Sequence, residues 1–272
     1  MNSNYIYPNI KRYSSFEEVI NEEPTYAFWG IGKGSTINFG ELFSYKRVFI
    51  VAEPGYGKTR LLKELIIRAS KLGQRGIFID LKRVKGGLER FILEKIPVMD
   101  CVSEYLNIQK STLFKTDNFA LKNNNRTVVC LDALDEVKLG NFSNIVDEIK
   151  AFSKKYRNIS IFISSRYHHF KKYKELFVDT NFEYIKIEPF TRAQVYAYFE
   201  KEGINREAVD KVVHLLEFRD RNLVIQTPRY LEMMALWVKN KGIENLIELT
   251  KTDLFEWFIY NKLDIELSLI HI

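Results

Sequence analysis

The sequence has few cysteines and no long apolar segment. Its 272 residues include only Cys101 and Cys130, and Cys130 lies in an apolar run typical of a strand. We therefore expect neither a disulfide framework nor a zinc site. The first residues lack the apolar region of a signal peptide, and no apolar run approaches the length that spans a membrane. These absences predict a cytoplasmic location and no membrane partner.

The composition is typical of a folded globular protein. Hydrophobic residues make up 46% and charged residues 28% of the chain, which contains neither repeats nor low-complexity tracts. The length is sufficient for one large α/β domain and a smaller lobe. The formal net charge is +6, which suits either a nucleic acid or a polyanionic nucleotide as the ligand. Charge alone does not decide between these two.

The clearest motif connects a β-branched apolar run to an amphipathic segment. After the run at residues 48–51, residues 52–59 have the sequence AEPGYGKT. A strand, a glycine-rich turn and a helix in this order place free N–H groups and the positive helix end around a phosphate. Lys58 would reach the β and γ phosphates, and the Thr59 hydroxyl would bind Mg²⁺. Ala52 stands where the usual G-x-x-x-x-G-K-[ST] pattern has its first glycine.

An ordinary connection between a strand and a helix is the alternative interpretation of this motif. The strand before the loop and the helix after it are the surroundings that a phosphate loop requires, so they favour the functional interpretation. The predicted nucleotide-binding residues in and just after the loop are Glu53, Pro54, Gly55, Tyr56, Gly57, Lys58, Thr59 and Arg60.

A second group of polar residues follows the apolar run at residues 127–131. This run predicts a central parallel strand that ends at Asp132. Since ligands of open α/β sheets bind at the carboxyl ends of the strands, Asp132 would lie beside the loop and hold Mg²⁺, directly or through water. Asp135 or Glu136 could then polarise the attacking water near the γ phosphate. Alternatively, this acidic pair only adds negative charge to the first turn of the next helix.

Arg166 follows a further predicted strand at residues 159–163. At the same sheet edge its guanidinium would point towards the phosphates, where it could distinguish a triphosphate from a diphosphate. The stretch that follows, at residues 167–174, is basic with interleaved aromatic residues. It is either a nucleic-acid or partner contact or a solvated face, and we favour the solvated face.

Hydrophobic spacing divides the chain into three parts. Residues 1–45 form an extended, aromatic-rich lead that either covers a nucleotide base or packs on the sheet edge. Residues 46–190 alternate strands and helices, as a P-loop NTPase core does, although the pattern leaves the boundaries between residues 100 and 121 undefined. Residues 191–272 have helical spacing throughout and predict a helical lid domain.

Several of these groups together resemble the NACHT branch of the STAND signal-transduction P-loop ATPases. A small residue directly after Asp132, with acids three and four positions beyond that aspartate, separates this branch from its relatives. The resemblance covers nearly the whole chain from about residue 46 onward. It rests on the segments GKT at 57–59, VVCLDALDE at 128–136, SSR at 164–166, IEPFT at 187–191, TPRYL at 227–231 and TDLF at 252–255.

The resemblance implies a three-layer α/β sandwich with a five-stranded parallel sheet in the order 5-1-4-3-2, followed by the small helical domain. It implies ATP or ADP and Mg²⁺ as cofactors, with Asp132 as the magnesium residue. Asp135 or Glu136 would be the catalytic acid, and Arg166 would sense the nucleotide. Pro228 would close over the base from the helical domain.

Proteins of this kind act as switches, in which ADP holds a closed monomer and ATP permits assembly into a homo-oligomer. Effector and sensor modules are expected outside this chain, and the sequence leaves open whether the chain is a fragment of a longer protein. The resulting hypothesis is a slow ATPase that controls oligomerisation in a defence or regulatory response. Two other hypotheses stay open: a nucleic-acid-acting P-loop ATPase, supported by the positive charge, and a nucleotide-stabilised adaptor without useful turnover.

Overall fold

The computed structural model describes residues 6–13, 15–21, 34–95, 127–173, 181–219, 227–246 and 250–270. The predicted elements between residues 100 and 121, together with Cys101, lie outside these ranges. The strands are β1 (Asn9–Tyr13), β2 (Ser35–Ile37), β3 (Arg47–Ala52), β4 (Arg75–Asp80), β5 (Thr127–Asp132), β6 (Ser160–Arg166) and β7 (Glu183–Glu188). The helices are α1 (Phe16–Asn21), α2 (Lys58–Lys71), α3 (Leu88–Lys95), α4 (Leu139–Lys155), α5 (Tyr167–Lys172), α6 (Arg192–Lys201), α7 (Arg206–Arg219), α8 (Pro228–Lys241) and α9 (Lys251–Ile270).

All of these strands belong to one mixed sheet of seven strands in the order β2-β1-β7-β3-β6-β5-β4. The strands from β7 to β4 are parallel, whereas β1 runs antiparallel to both β7 and β2. The five parallel strands lie in the predicted order 5-1-4-3-2, which is β7-β3-β6-β5-β4. The prediction is wrong in strand number and in a purely parallel sheet, because the whole sheet is mixed and has seven strands. The physical reason is that the N-terminal lead extends the sheet, because residues 9–13 pair with residues 184–188 at the β7 edge.

Alternate side chains of β3 enter two different hydrophobic layers. Val48 and Ile50 pack in the layer that contains α2, whereas Phe49 and Val51 pack in the layer that contains α3, α4 and α5. All four side chains are fully buried. A continuous apolar strand is stable only where both faces of the sheet are covered. β3 is such a strand, and the loop after it emerges between its neighbours β6 and β7 at the carboxyl edge.

The C-terminal helices have a hydrophobic core of their own. Helices α6, α7, α8 and α9 surround a cluster that includes Phe199, Val209, Leu231 and Leu254, and Phe190 from the connection after β7 joins it. A helical layer thus packs around its own apolar centre rather than on the sheet. None of the described helices is long and apolar enough to cross a membrane.

Gly76 allows β4 to pack closely against α2. A Cβ atom at this position would lie 2.7 Å from Cγ2 of Ile66 and 3.3 Å from its carbonyl oxygen. We expect Gly76→Ala to lower the free energy of unfolding by about 1–3 kcal/mol, because the added methyl group overpacks this contact. Denaturant unfolding measures the change. Gly140→Ala is the control, since a Cβ there meets no atom within 4 Å; an equal loss in both variants would contradict the packing argument.

Candidate functional site

A tight loop joins the end of β3 to the start of α2. Gly55 and Gly57 have φ angles of 83° and 88°, in the left-handed region that residues with a Cβ atom rarely adopt. Gly57 is the N-cap of α2 and supplies no side-chain hydrogen bond to it. The first N–H groups of α2 therefore lack a side-chain cap and can bind an anion at the positive end of the helix. The loop has the backbone geometry of a phosphate-binding loop.

The Lys58 side chain folds back into this loop. Its Nζ donates hydrogen bonds to the carbonyl oxygens of Ala52 at 2.8 Å and Glu53 at 3.1 Å. Burial lowers the pKa of Lys58, and the nearby charge of Asp135 acts in the opposite direction. A phosphate oxygen is a charged acceptor and forms a stronger hydrogen bond than a neutral carbonyl does. The amine is thus held close to the place where an anion would bind.

A buried carboxylate lies beside the loop at the carboxyl end of β5. Asp132 is only 6% exposed, and its Oδ2 accepts a hydrogen bond from the Thr59 hydroxyl at 2.7 Å. Its other oxygen accepts a hydrogen bond from the Ser164 hydroxyl. The Ser164 oxygen accepts in turn from the N–H of Ala133 at 3.0 Å. These contacts join α2, β5 and β6 around one carboxylate. The chain therefore has an α/β fold in which the glycine-rich loop and this buried carboxylate lie together at the carboxyl edge of the sheet.

Two further acids face Arg166 at the same sheet edge. Arg166 Nε lies 2.9 Å from Asp135 Oδ2, and the Arg166 backbone N–H donates to Asp135 Oδ1 at 3.0 Å. The Asp135 side chain is only 5% exposed. Glu136 is 37% exposed and contacts Lys82 Nζ at 2.9 Å and an Arg166 nitrogen at 3.5 Å. Residue 166 therefore binds both oxygens of Asp135, whereas Glu136 is the more accessible of the two acids.

The start of α8 lies directly over the phosphate loop. The backbone N–H of Arg229 donates to the Gly55 carbonyl at 3.4 Å. A Cβ atom on Gly57 would lie 3.9 Å from Cγ of Pro228, and one on Gly55 would lie 3.4 Å from Cβ of Arg229. Thr227 caps the helix by accepting from a backbone N–H of its first turn. The helical domain therefore contacts the loop directly. The contact lies next to Pro228, which is the residue predicted to close over a base.

A cavity of about 980 Å³ lies between the sheet edge and α8. Glu53 does not line it, and its carboxylate lies 3.9 Å from Nε2 of His168. All other predicted site residues line this cavity, so the fold brings them together; they are Pro54, Gly55, Tyr56, Gly57, Lys58, Thr59, Arg60, Asp132, Asp135, Glu136, Arg166 and Pro228.

The N-terminal lead pairs with the sheet and also reaches the cavity. β1 extends the sheet at the β7 edge, which is the packing alternative. Ile6 and Pro8, which precede β1, line the cavity, and the cover over a base stays a prediction. Pro8 is buried and Ile6 is half-buried. These two apolar residues therefore contribute to the lining of the cavity.

Several polar residues that are absent from the predicted site take part in it, among them Ser164, Lys82 and Arg229. Ser164 contacts Asp132, Lys82 contacts Glu136, and Arg229 lines the cavity. Ser164 lies at the carboxyl end of β6, so the edge rule that selected Arg166 could also have selected it. Lys82 and Arg229 have no comparable sequence signal, because their positions depend on how the turn after β4 and helix α8 pack.

We expect Ser164→Ala to lower the free energy of unfolding by about 1–3 kcal/mol, because it leaves an oxygen of the buried Asp132 and the N–H of Ala133 without this partner. Denaturant unfolding measures the loss. Ser165→Ala is the matched control, since Ser165 is also buried but its hydroxyl makes only a 3.3 Å contact with the Arg166 carbonyl. A loss no larger in Ser164→Ala than in Ser165→Ala would contradict the role given to the Ser164 hydroxyl.

No protein-family model and no curated protein matches the sequence. Among solved structures, DnaA from Aquifex aeolicus bound to AMPPCP has 19% identity and a TM-score of 0.48, over 77% of this chain and 61% of that chain. The Walker-type ATPase paby2304 of Pyrococcus abyssi has 13% identity and a TM-score of 0.49, over 85% and 71%. Cdc6p from Pyrobaculum aerophilum has 11% identity and a TM-score of 0.45, over 73% and 55%.

This chain therefore spans less than two thirds of the DnaA and Cdc6p chains that it matches. The similarities are distant in sequence and partial in structure, so they do not assign a function to it. They also give no support to the NACHT assignment. The geometry of the loop, Asp132 and α8 is the basis of the function proposed below.

Proposed function

We propose that the chain binds Mg-ATP in the cavity between the sheet edge and α8 and hydrolyses it slowly. The observation that carries the proposal is the 2.7 Å hydrogen bond between Thr59 and Asp132, next to a loop with two left-handed glycines. These residues are far apart in sequence, and this pairing of a hydroxyl with a carboxylate beside a phosphate loop suits a metal nucleotide.

The oxygen atoms at this position fit Mg²⁺. Magnesium prefers oxygen ligands and keeps several waters, so it needs only one or two protein groups together with phosphate oxygens. The Thr59 hydroxyl and the Asp132 carboxylate would hold it, Asp132 directly or through water. When bound, the metal would offset the negative charge of the β and γ phosphates.

The two acids receive different roles in this proposal. Glu136 is accessible from the cavity, so it is assigned as the acid that orients and polarises the attacking water. The Asp135 side chain is buried and binds the Arg166 guanidinium through Oδ2 and the Arg166 backbone N–H through Oδ1, so it is assigned as the residue that positions the guanidinium. Arg166 then lies at the edge of the cavity, where a γ phosphate would compete with Asp135 and Glu136 for it.

Occupancy of the cavity would control the position of the helical domain. α8 contacts the loop through the N–H of Arg229, and Pro228 lies close to Gly57. A nucleotide bound between them would touch both domains, so its exchange or hydrolysis would change the contacts that hold α8 over the loop. The finer hypothesis is the NACHT-type switch, in which this movement permits assembly into a homo-oligomer that activates an effector.

Lys58→Ala tests the binding site itself. We expect ATP affinity to fall by about 10- to 100-fold, because a charge-assisted hydrogen bond contributes about 1.5–3 kcal/mol. Isothermal titration with Mg-ATP measures the affinity. Lys71→Ala removes the same charge from the exposed far end of α2 and serves as the control. Unchanged affinity in Lys58→Ala would remove the foundation of the proposal.

Glu136→Gln tests the catalytic assignment. We expect turnover to fall by about 100-fold or more while ATP binding is retained, because the amide can neither accept a proton nor polarise water as a carboxylate does. Asp135→Asn should also lower turnover, since it weakens the ion pair that positions the Arg166 guanidinium. Single-turnover phosphate release with Mg-ATP measures both variants. A turnover rate in Glu136→Gln equal to that of the parent protein would contradict the assignment. If the parent protein itself releases no phosphate, the result would favour the adaptor hypothesis.

A nucleic-acid-acting ATPase is the second candidate function. One specific observation favours it: an exposed group of basic residues lines a separate cavity at the opposite edge of the sheet. Stimulation of ATP hydrolysis by single-stranded nucleic acid, with a steep dependence on salt, would support this candidate over the oligomerisation switch. Hydrolysis that is indifferent to nucleic acid would exclude it.

A further inference from the structure

A second large cavity lies at the amino ends of the strands, away from the phosphate loop. Its volume is about 870 Å³, and it is lined by the start of β3, the end of α4 and the start of β7. The amino and carboxyl ends of β3 are separated by roughly 17 Å, at about 3.3 Å per residue. A ligand in this cavity would therefore not occupy the space proposed for the nucleotide.

Besides Arg47, four basic residues line this cavity without an ion pair in the described part of the chain. Lys46, Lys154 and Arg157 are exposed, and Lys150 is half-buried. The carboxylate in the lining is Glu183, which is bound by Arg12 at 2.9 Å. The positive charge of these four residues, here called the basic group, is therefore not neutralised by Glu183.

The alternative to ligand binding is that these basic residues only stabilise the C-terminus of α4, since positive charge is favourable near a helix C-terminus. That role is already filled by Arg47. Its guanidinium donates to the carbonyl oxygens of Ser153 at 2.7 Å and Tyr156 at 3.1 Å. Burial lowers the pKa of Arg47, and its contacts are internal to the fold. The basic group is thus not required to cap these carbonyls and remains available to a ligand.

The spacing of the basic group favours a ligand with several phosphates in a row. Lys150 and Lys154 are separated by four positions on α4, which places them about 5–6 Å apart along one helix face, and Arg157 follows the end of this helix. A single phosphate would contact only part of this group. A single-stranded nucleic acid, in contrast, carries one negative charge for about every 3.4 Å along its axis. Tyr45, which is half-buried, also lines the cavity. Tyrosine beside a positive groove can stack with an unpaired base.

We propose that the basic group binds the sugar-phosphate backbone of single-stranded nucleic acid, with Tyr45 as a stacking residue. This inference deepens the second candidate function but depends only on binding. It is measured without ATP, so its failure is distinguishable from failure of the nucleotide site. The lysines act as charges on flexible stems, so we expect little preference for base sequence.

Fluorescence anisotropy with a labelled oligothymidylate, at salt concentrations between about 50 and 200 mM, tests the proposal. Each phosphate contact contributes about 0.7 to the slope of log affinity against log salt. We therefore expect the double variant Lys150→Gln/Lys154→Gln to bind at least about 10-fold more weakly at low salt and to lower the slope by about 1.4. Tyr45→Ala should weaken binding with no change of slope.

The matched control is Lys171→Gln/Lys172→Gln, which removes the same charge from exposed positions on α5 at the other sheet edge. Thermal unfolding of both double variants establishes that they fold like the parent protein. The proposal is supported if only Lys150→Gln/Lys154→Gln loses affinity and slope. The proposal is overturned if the parent protein does not bind the oligothymidylate or if both double variants lose affinity equally. It is also overturned if inorganic triphosphate displaces the oligothymidylate at an equal concentration of phosphate groups.

Discussion

A buried carboxylate at the end of β5 is the constraint on which the site depends. Asp132 is almost inaccessible to solvent and accepts hydrogen bonds from the hydroxyls of Thr59 and Ser164. A buried charge is costly unless it is hydrogen-bonded or paired, so β5, β6 and α2 must keep their relative positions. The Ser164 oxygen also binds the N–H of Ala133, which has a positive φ of 59°. The network therefore fixes the turn that presents the next two acids.

The charged groups around the cavity bind one another in ways that a nucleotide would rearrange. Lys58 donates to carbonyl oxygens of its own loop, and Arg166 is bound to Asp135 and Glu136. A triphosphate offers stronger acceptors to both cations. Because α8 contacts the same loop through Arg229, rearrangement at the phosphates would reach the helical domain through a direct contact. The proposed coupling of occupancy to domain position rests on this geometry.

The local parts of the site could be predicted from the sequence, whereas the parts that depend on packing could not. The strand, loop and helix around Lys58 are contiguous, and the edge rule for parallel strands places Asp132 and Arg166 nearby. The pairing of β1 with β7 joins residues more than 170 positions apart, and no turn signal specifies it. The different exposure of Asp135 and Glu136 depends on side-chain direction, which adjacent positions in a sequence do not reveal.

The central claim is that the cavity binds Mg-ATP, and unfolding in the presence of the ligand tests it most directly. A ligand that binds only the folded state stabilises it by about 2.7 kcal/mol at 100 times its Kd. Denaturant unfolding of the parent protein with ATP and Mg²⁺ should give a stabilisation that increases with ATP concentration and falls when EDTA replaces the metal. No stabilisation at millimolar Mg-ATP would contradict the claim.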